Sequence, residues 1–324
     1  MESQQQGGET VTDSDTELQA RVAWYYFVGG LTQQDIANRL GTSRVRVNRL
    51  LAASRESGQV EVTINSDLAG CVALEHELIS RFDLLDAVVV PTPDDPALLR
   101  PALGVAAASH MASLVTDGMT IALAWGRTIE SVMQALPARP GRGISVVGVQ
   151  GGLAHCGSLN TFEVVSDLAR LYDAEQHFFA APMYANSAED RERLMAQNSI
   201  RDACLKASNA DLILYTAGGI EDSLAVNVGV GESHVVDELR ANGAVGDVLG
   251  YFVDAQGQPI AHPINERCLA IPLSALARGK RVMLIGGGPD RVAITKAALT
   301  GGLSNMLVTD ERSARAMVTD DTPA

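Results

Sequence analysis

Cysteine is scarce in this 324-residue chain: four residues, Cys71, Cys156, Cys204 and Cys268, with no CxxC pair. That scattering argues against a structural zinc site or a disulfide framework and suits a reducing cytoplasm. The histidines are also dispersed. His155 beside Cys156 is the one close pair, and such a neighbour pair is more often incidental than metal-binding. No metal and no cofactor are expected. No apolar run reaches the roughly 18–20 residues of a membrane helix, so no membrane partner is expected. The N-terminal stretch MESQQQGGETVTDSDTE lacks an apolar signal-peptide core, and residues 1–14 read as a disordered tail.

Several enzyme signatures are missing as well. No GxGxxG follows a strand-like run. Gly229-Val230-Gly231 lacks the third glycine, and Gly286–Gly288 has Arg291 where it would fall. A nicotinamide dinucleotide therefore fits poorly. No GxxxxGK[ST] occurs, which excludes a P-loop, and no GxSxG occurs, which removes the usual hydrolase elbow.

What is present begins with Leu31–Leu51, LTQQDIANRLGTSRVRVNRLL. Ile36, Ala37 and Leu40 share one face of a first helix, and Gly41 stops it in a tight turn. Thr42 or Ser43 caps a second helix, in which Val47, Leu50 and Leu51 point inward. Arg44, Arg46, Asn48 and Arg49 remain near its exposed face, with Thr32, Gln33 and Ser43 at the helix starts. An α-helix fits the DNA major groove, where arginine pairs with guanine and asparagine with adenine. The bland alternative is a surface hairpin of helices with a solvated charged face. The short glycine turn and the arginine clustering favour a helix-turn-helix.

The net charge of −14 disfavours indiscriminate binding to a polyanion. It is unevenly spread. Between Thr16 and Ile64, six arginines (Arg21, Arg39, Arg44, Arg46, Arg49, Arg55) meet four acids (Glu17, Asp35, Glu56, Glu61). That stretch carries +2, leaving −16 on the rest. A weakly basic head on an acidic body predicts modest affinity per head, so tight DNA binding needs two or more.

A helix over 15–28 is expected before the motif, with Leu18, Val22, Tyr25 and Tyr26 as its core face. Val60–Ile64 alternates as a strand, which suggests a winged variant. The expected DNA-binding domain spans 15–65, and a larger domain spans 66–324.

In the larger domain, apolar runs at 86–91, 119–125, 144–149, 176–181, 211–216, 247–254, 281–286 and 305–309 alternate with helical runs. The helical runs are 68–82, 96–115, 127–136, 161–173, 188–208, 232–242 and 290–299. Continuous apolar strands separated by helices predict an α/β fold with a parallel sheet covered on both faces. Ligands in such sheets bind beyond the carboxyl ends of the strands, and those loops are rich in glycine. Gly126-Arg127-Thr128 opens one helix and Gly286–Arg291 another, and Gln150-Gly151-Gly152 and Asn227–Gly231 are further loops. Glycine lets backbone N–H groups approach a phosphate at a helix start. Arg127 or Arg291 supplies charged donors, and Gln150, Asn227 and Asp247 suit sugar hydroxyls. Singly, each of these residues fits a plain turn or cap equally well.

Taken in order, LTQQDIANRLGTSRVRVNRLL, SGQVEVTI, AWGRTI, VGVQGG, NVGVGE, VGDVLGYFVDAQG and GGGPDRVAITKAALTGGLSNMLVTDE resemble the SorC family of bacterial sugar-responsive transcriptional regulators. The resemblance runs from about residue 16 onward. It implies a large domain folded like sugar-phosphate isomerases and deaminases, binding a phosphorylated sugar or polyol effector without catalysis. It also implies double-stranded operator DNA as partner and assembly into a tetramer. Carried over by motif, Gly126, Arg127 and Thr128 hold the phosphate with the Gly286–Arg291 loop, including Gly287. Gln150, Gly151, Asn227, Gly229 and Asp247 line the sugar. Where the family often has lysine, this chain has Arg291, and its three lysines, Lys206, Lys280 and Lys296, lie outside the glycine loops. An imine mechanism is thereby disfavoured. Among relatives, regulators of sugar-alcohol catabolism such as erythritol repressors are most similar. Two competing readings are a sugar-phosphate isomerase or deaminase carrying a DNA-binding head, with Asp247 as base, and an acidic scaffold that binds no DNA.

Overall fold

The computed structural model describes residues 13–27, 29–56, 60, 69–153, 161–221 and 233–319. The expected wing strand Val60–Ile64, apart from Val60, and the Asn227–Gly231 loop lie outside the described residues, as does the His155–Cys156 pair. The chain divides after Asn65 into two compact units.

The first unit holds three helices: α1 (Asp13–Phe27), α2 (Gln33–Leu40) and α3 (Arg44–Glu56). Val22, Ile36, Ala37, Val47, Leu50 and Leu51 form its core, with Leu18, Tyr25, Tyr26, Leu31 and Leu40 packed against it. These are the residues that the helical spacing points inward. Thr32 caps α2 reciprocally with Asp35: its hydroxyl accepts from the Asp35 N–H, while the Asp35 carboxylate accepts from the Thr32 backbone. Gly41 ends α2 at φ 61°, the left-handed geometry that glycine adopts without strain. Ser43 caps α3, accepting from the Arg46 N–H at 3.2 Å.

The second unit is a doubly covered α/β sheet. In chain order it runs α4 (Ala69–Phe82), β1 (Asp86–Val90), α5 (Leu99–Leu114), β2 (Thr120–Leu123), α6 (Arg127–Ala135), β3 (Ser145–Gly148), α7 (Thr161–Tyr172) and β4 (Glu175–His177). There follow α8 (Ala188–Met195), α9 (Asn198–Ser208), β5 (Leu212–Tyr215), β6 (Ala217–Gly219), α10 (Ser233–Ala241), β7 (Gly246–Val248) and β8 (Tyr251–Val253). It closes with α11 (Pro263–Arg267), α12 (Leu273–Ala277), β9 (Val282–Ile285), α13 (Val292–Thr300), β10 (Met306–Asp310) and α14 (Glu311–Val318).

Seven strands lie side by side in the order β1-β10-β9-β5-β2-β3-β4, all parallel. Alternate residues enter opposite cores. Ile121, Val146, Leu212 and Leu214 pack on one face, and Ala122, Val147, Ile213 and Tyr215 on the other. This two-sided burial is why the strands read as continuous apolar runs. At one edge, the N–H groups of Ala87 and Val89 donate to the carboxylates of Asp86 and Glu75, each at 2.9 Å.

Three sequence expectations need correction. The run 247–254 is not one strand of the parallel sheet. It folds into the β7–β8 hairpin of a separate three-stranded sheet, β6-β7-β8. Leu249 (φ 53°) and Gly250 (φ 85°) both turn into the left-handed region, as a two-residue hairpin loop requires. The run 188–208 is broken at Gln197, whose ψ of 131° is extended, into α8 and α9. The bend brings Leu194, Met195 and Ile200 onto a small cluster with Phe179, Ala185 and Leu269. The run 176–181 is strand only through His177. Helix α14 lies beyond the expected helical runs, and Asp310 caps it by accepting from the Ser313 N–H.

Candidate functional site

The exposed face of α3 follows from its buried stripe. With Val47, Leu50 and Leu51 inward and roughly 100° per residue, Val45, Asn48, Arg49 and Ala52 point outward. Arg44 and Arg46 flank that face. Gln33, at the start of α2, joins the two helices. Its side-chain amide donates to the Asn48 Oδ1 at 3.3 Å, and its own Oε1 accepts from Arg44 Nε at 3.4 Å. The three side chains thus hold one another in place before any ligand arrives. The Thr32 hydroxyl is taken up by its cap, donating to Asp35 at 2.6 Å. Arg21 pairs with Glu17 at 2.6 Å, and the Arg39 guanidinium lies 4.8 Å from the centre of the Tyr25 ring. Arg44, Arg46 and Arg49 are all carried by α3, and all three are exposed.

In the second unit, β2 is followed in sequence by β3 and β4 on one side, whereas β5 returns on its other side. The crevice beyond the carboxyl ends of β2 and β5 is the switch point of the sheet, where ligands of open α/β sheets bind. Gly126, Arg127 and Thr128 come directly after β2, Gln150 and Gly151 after β3, and Gly287 and Arg291 after β9. Gly126 follows β2 and caps α6 at φ 144°, a conformation that a side chain would strain. A Cβ placed on it would lie 3.6 Å from the Thr216 hydroxyl, just past β5. Arg127 and Thr128 open α6, with Arg127 exposed.

Gln150 and Gly151 follow β3. The Trp125 indole donates to the Gly151 carbonyl at 2.9 Å, tying the loops after β2 and β3 together. Gly151 is obligatory, since a Cβ there would meet the Pro182 carbonyl oxygen at 2.2 Å. Gln150 is 4% exposed, yet its side-chain oxygen has no hydrogen-bond partner among the described residues. A buried unsatisfied acceptor costs about 1–3 kcal/mol and calls for an explanation.

The Gly286–Arg291 loop follows β9, the neighbour of β5. Arg291 donates to the Ala217 carbonyl at 2.9 Å, which draws the loop against β6. A Cβ on Gly287 would meet the Asp310 carboxylate at 2.6 Å. Asp310, 1% exposed, is the lock of this loop and was not foreseen from the sequence. It accepts from the Thr92 hydroxyl at 2.6 Å, the Ser313 hydroxyl at 2.5 Å and the Gly288 N–H at 3.0 Å. Burial alone would push its carboxyl up, but the hydrogen bonds from Ser313, Thr92 and Gly288 outweigh that and hold it below the ordinary value. The signal available in the sequence was an aspartate ending an apolar strand run.

Asp247, on β7, pairs with Gly218 of β6 on one side and with Phe252 of β8 across the hairpin on the other. It is buried, and its carboxylate accepts from the Gly250 N–H at 3.0 Å, so part of its capacity serves its own turn. Asn227 and Gly229 lie outside the described residues. Burial pushes the Cys268 thiol well above its ordinary range and raises the Tyr251 hydroxyl to about 12, so both stay protonated beside the hairpin. These neutral groups supply no base next to Asp247.

Residues 66–319 match the family model described as “Putative sugar-binding domain”. The chain is 34% identical to the transcriptional regulator LsrR of Klebsiella pneumoniae over 94% of both chains. It is 31% identical to the erythritol catabolism regulatory protein EryD of Brucella abortus over 95% of this chain and 98% of that one. The crystal structure of the full-length sorbitol operon regulator SorC from Klebsiella pneumoniae superposes with a TM-score of 0.74. It covers 95% of this chain and 100% of its own, at 25% identity.

Proposed function

The chain belongs to the SorC-type family of sugar-binding transcriptional regulators, and from that premise we propose how its two units divide the work. It is a regulator, not an isomerase or deaminase. The first unit binds double-stranded operator DNA of a carbohydrate or sugar-alcohol catabolic operon, acting in the cytoplasm. Arg44, Arg46, Asn48 and Arg49 meet the duplex, Gln33 positions Asn48 and Arg44, and Thr32 and Ser43 hold the helix starts. The second unit takes a phosphorylated sugar or polyol as effector. Gly126, Arg127 and Thr128 receive the phosphate at the start of α6, with Gly287 and Arg291 opposite. Gln150, Gly151, Asn227, Gly229 and Asp247 face the hydroxyls.

The observation that carries the effector reading is the buried Gln150 oxygen, which has no hydrogen-bond partner among the described residues. A sugar hydroxyl supplies the donor it lacks. The charge of a single head is small, so operator binding is proposed to use a tetramer. Operator and effector then alter each other's affinity reciprocally. The test is a thermal-shift screen of phosphorylated sugars and polyols against their unphosphorylated forms. A ligand at a hundred times its Kd adds about 2.7 kcal/mol of stability. A raised melting temperature with phosphorylated members only, together with altered operator affinity, is the expected result. No shift with any of them refutes the effector reading.

A further inference from the structure

An apolar side chain stands at the centre of the proposed DNA-facing surface. Val45, the second residue of α3, is 80% exposed, the highest value among the large exposed hydrophobics of the described residues. Single exposed apolar residues are common and need no explanation by themselves. The surroundings of this one do. It sits opposite the buried stripe of α3, in a shallow depression formed with Gln33, Arg44, Asn48, Arg49 and Ala52. Valine is also a poorer helix former than the arginine, glutamine or lysine that a solvated helix face prefers. The charged side chains lie around it and the amide of Asn48 lies one turn further on.

This arrangement matches the chemistry of one base. In the major groove only thymine presents a methyl group, and apolar side chains read it by contact. The N-terminal residues of a recognition helix are the ones that reach base edges. We propose that Val45 reads sequence by packing its methyl groups on the C5-methyl of a thymine, with Asn48 hydrogen-bonding the edge of a neighbouring base. The arginines around it then serve phosphates or guanine. The inference rests on the DNA-binding reading above and sharpens it, because it names a discriminating residue that carries neither charge nor hydrogen-bonding groups. The Gln33–Asn48 bond fixes which way the Asn48 amide faces, so the two readers are set in register with each other.

The test uses the full chain, wild type and Val45→Ala. A pool of random duplexes is first selected with wild type. Each thymine of the enriched site is then replaced singly by deoxyuridine, which removes only the methyl, and affinity is measured by fluorescence anisotropy. Burying one methyl against another is worth about fourfold in affinity. Wild type should lose about that much at one thymine per half-site. Val45→Ala should bind the thymine duplex about fourfold more weakly and be indifferent to uridine there. Its melting temperature should match or slightly exceed that of wild type, since the side chain is exposed and alanine is the better helix former. A site with no uridine-sensitive thymine, or one equally sensitive in Val45→Ala, overturns the inference while leaving the DNA-binding reading standing. A change in oligomeric state without a methyl effect would assign Val45 to a protein contact and overturn it too. If wild type enriches no sequence, the DNA-binding reading itself falls, and this inference with it.

Discussion

Asp310→Asn is the most informative single change in the second unit, because it keeps the shape of the side chain and removes one acceptor. The wild-type carboxylate divides its work. One oxygen accepts from the Gly288 N–H and the Ser313 hydroxyl, and the other from the Thr92 hydroxyl and the Ser313 N–H. An amide has one oxygen, so two donors are left facing an NH2 group in a site only 1% exposed. At roughly 1.5 kcal/mol for each buried unsatisfied group, the cost is about 3 kcal/mol. For a domain of this size that lowers the melting temperature by roughly 6–12 °C. The sign of the pH dependence follows from the direction of the shift. The folded carboxyl lies below its ordinary value of 3.8, so its stabilisation is complete above that pH and fades as pH falls through the folded value. Calorimetry of wild type and Asp310→Asn between pH 7 and pH 3 should show the full gap above about pH 5 and a narrowing gap below about pH 4. Melting temperatures within a degree of each other at pH 7, or a gap that widens in acid, would refute the account of the loop lock.

Gln150→Leu replaces this buried acceptor with an apolar side chain of similar size. The unliganded protein should melt at the same temperature or up to about 1 kcal/mol more stably, while the shift produced by a phosphorylated sugar disappears; an unchanged ligand shift removes Gln150 from the site. Gly126→Ala forces a side chain to adopt φ 144°, which should cost about 1–3 kcal/mol and abolish phosphate binding; retained affinity in calorimetric titration would show that the phosphate sits elsewhere. Arg44→Ala with Arg46→Ala should lower operator affinity and reduce the slope of log affinity against log salt by about 0.9 for each phosphate no longer neutralised. An unaltered gel shift would favour the scaffold reading.

The helix-turn-helix was legible because every level agreed there. Helical spacing, the Gly41 turn and the Ser43 cap each point to the same geometry. The parallel sheet was legible for a different reason, since strands buried on both faces announce themselves as unbroken apolar runs. The same rule hid the β7–β8 hairpin. Val248, Leu249 and Tyr251 are all buried, so nothing in polarity marks the reversal, and a leucine at φ 53° runs against local preference. Gly250 was the one available sign. The glycine loops of the candidate site could be found from sequence because chain order places them after strands. Asp310 and Thr92 could not be paired that way. They are more than two hundred residues apart and meet only because β1 and β10 are neighbours. Val45 escapes a sequence reading because an apolar residue in a helix is first assigned to the core.

The two ends of the seven-stranded sheet bear on how copies of this chain can associate. β4 is three residues long and begins with the exposed Glu175. On β1, the outward N–H groups of Ala87 and Val89 are already occupied by carboxylates. A strand from another molecule would have to displace those carboxylates at one margin, and would find too little backbone to grip at the other. Both are recognised devices against edge-to-edge pairing. The seven-stranded sheet is therefore a closed unit of growth, and copies of this chain that associate do so without extending it, through surfaces where side chains rather than its backbone choose the partner.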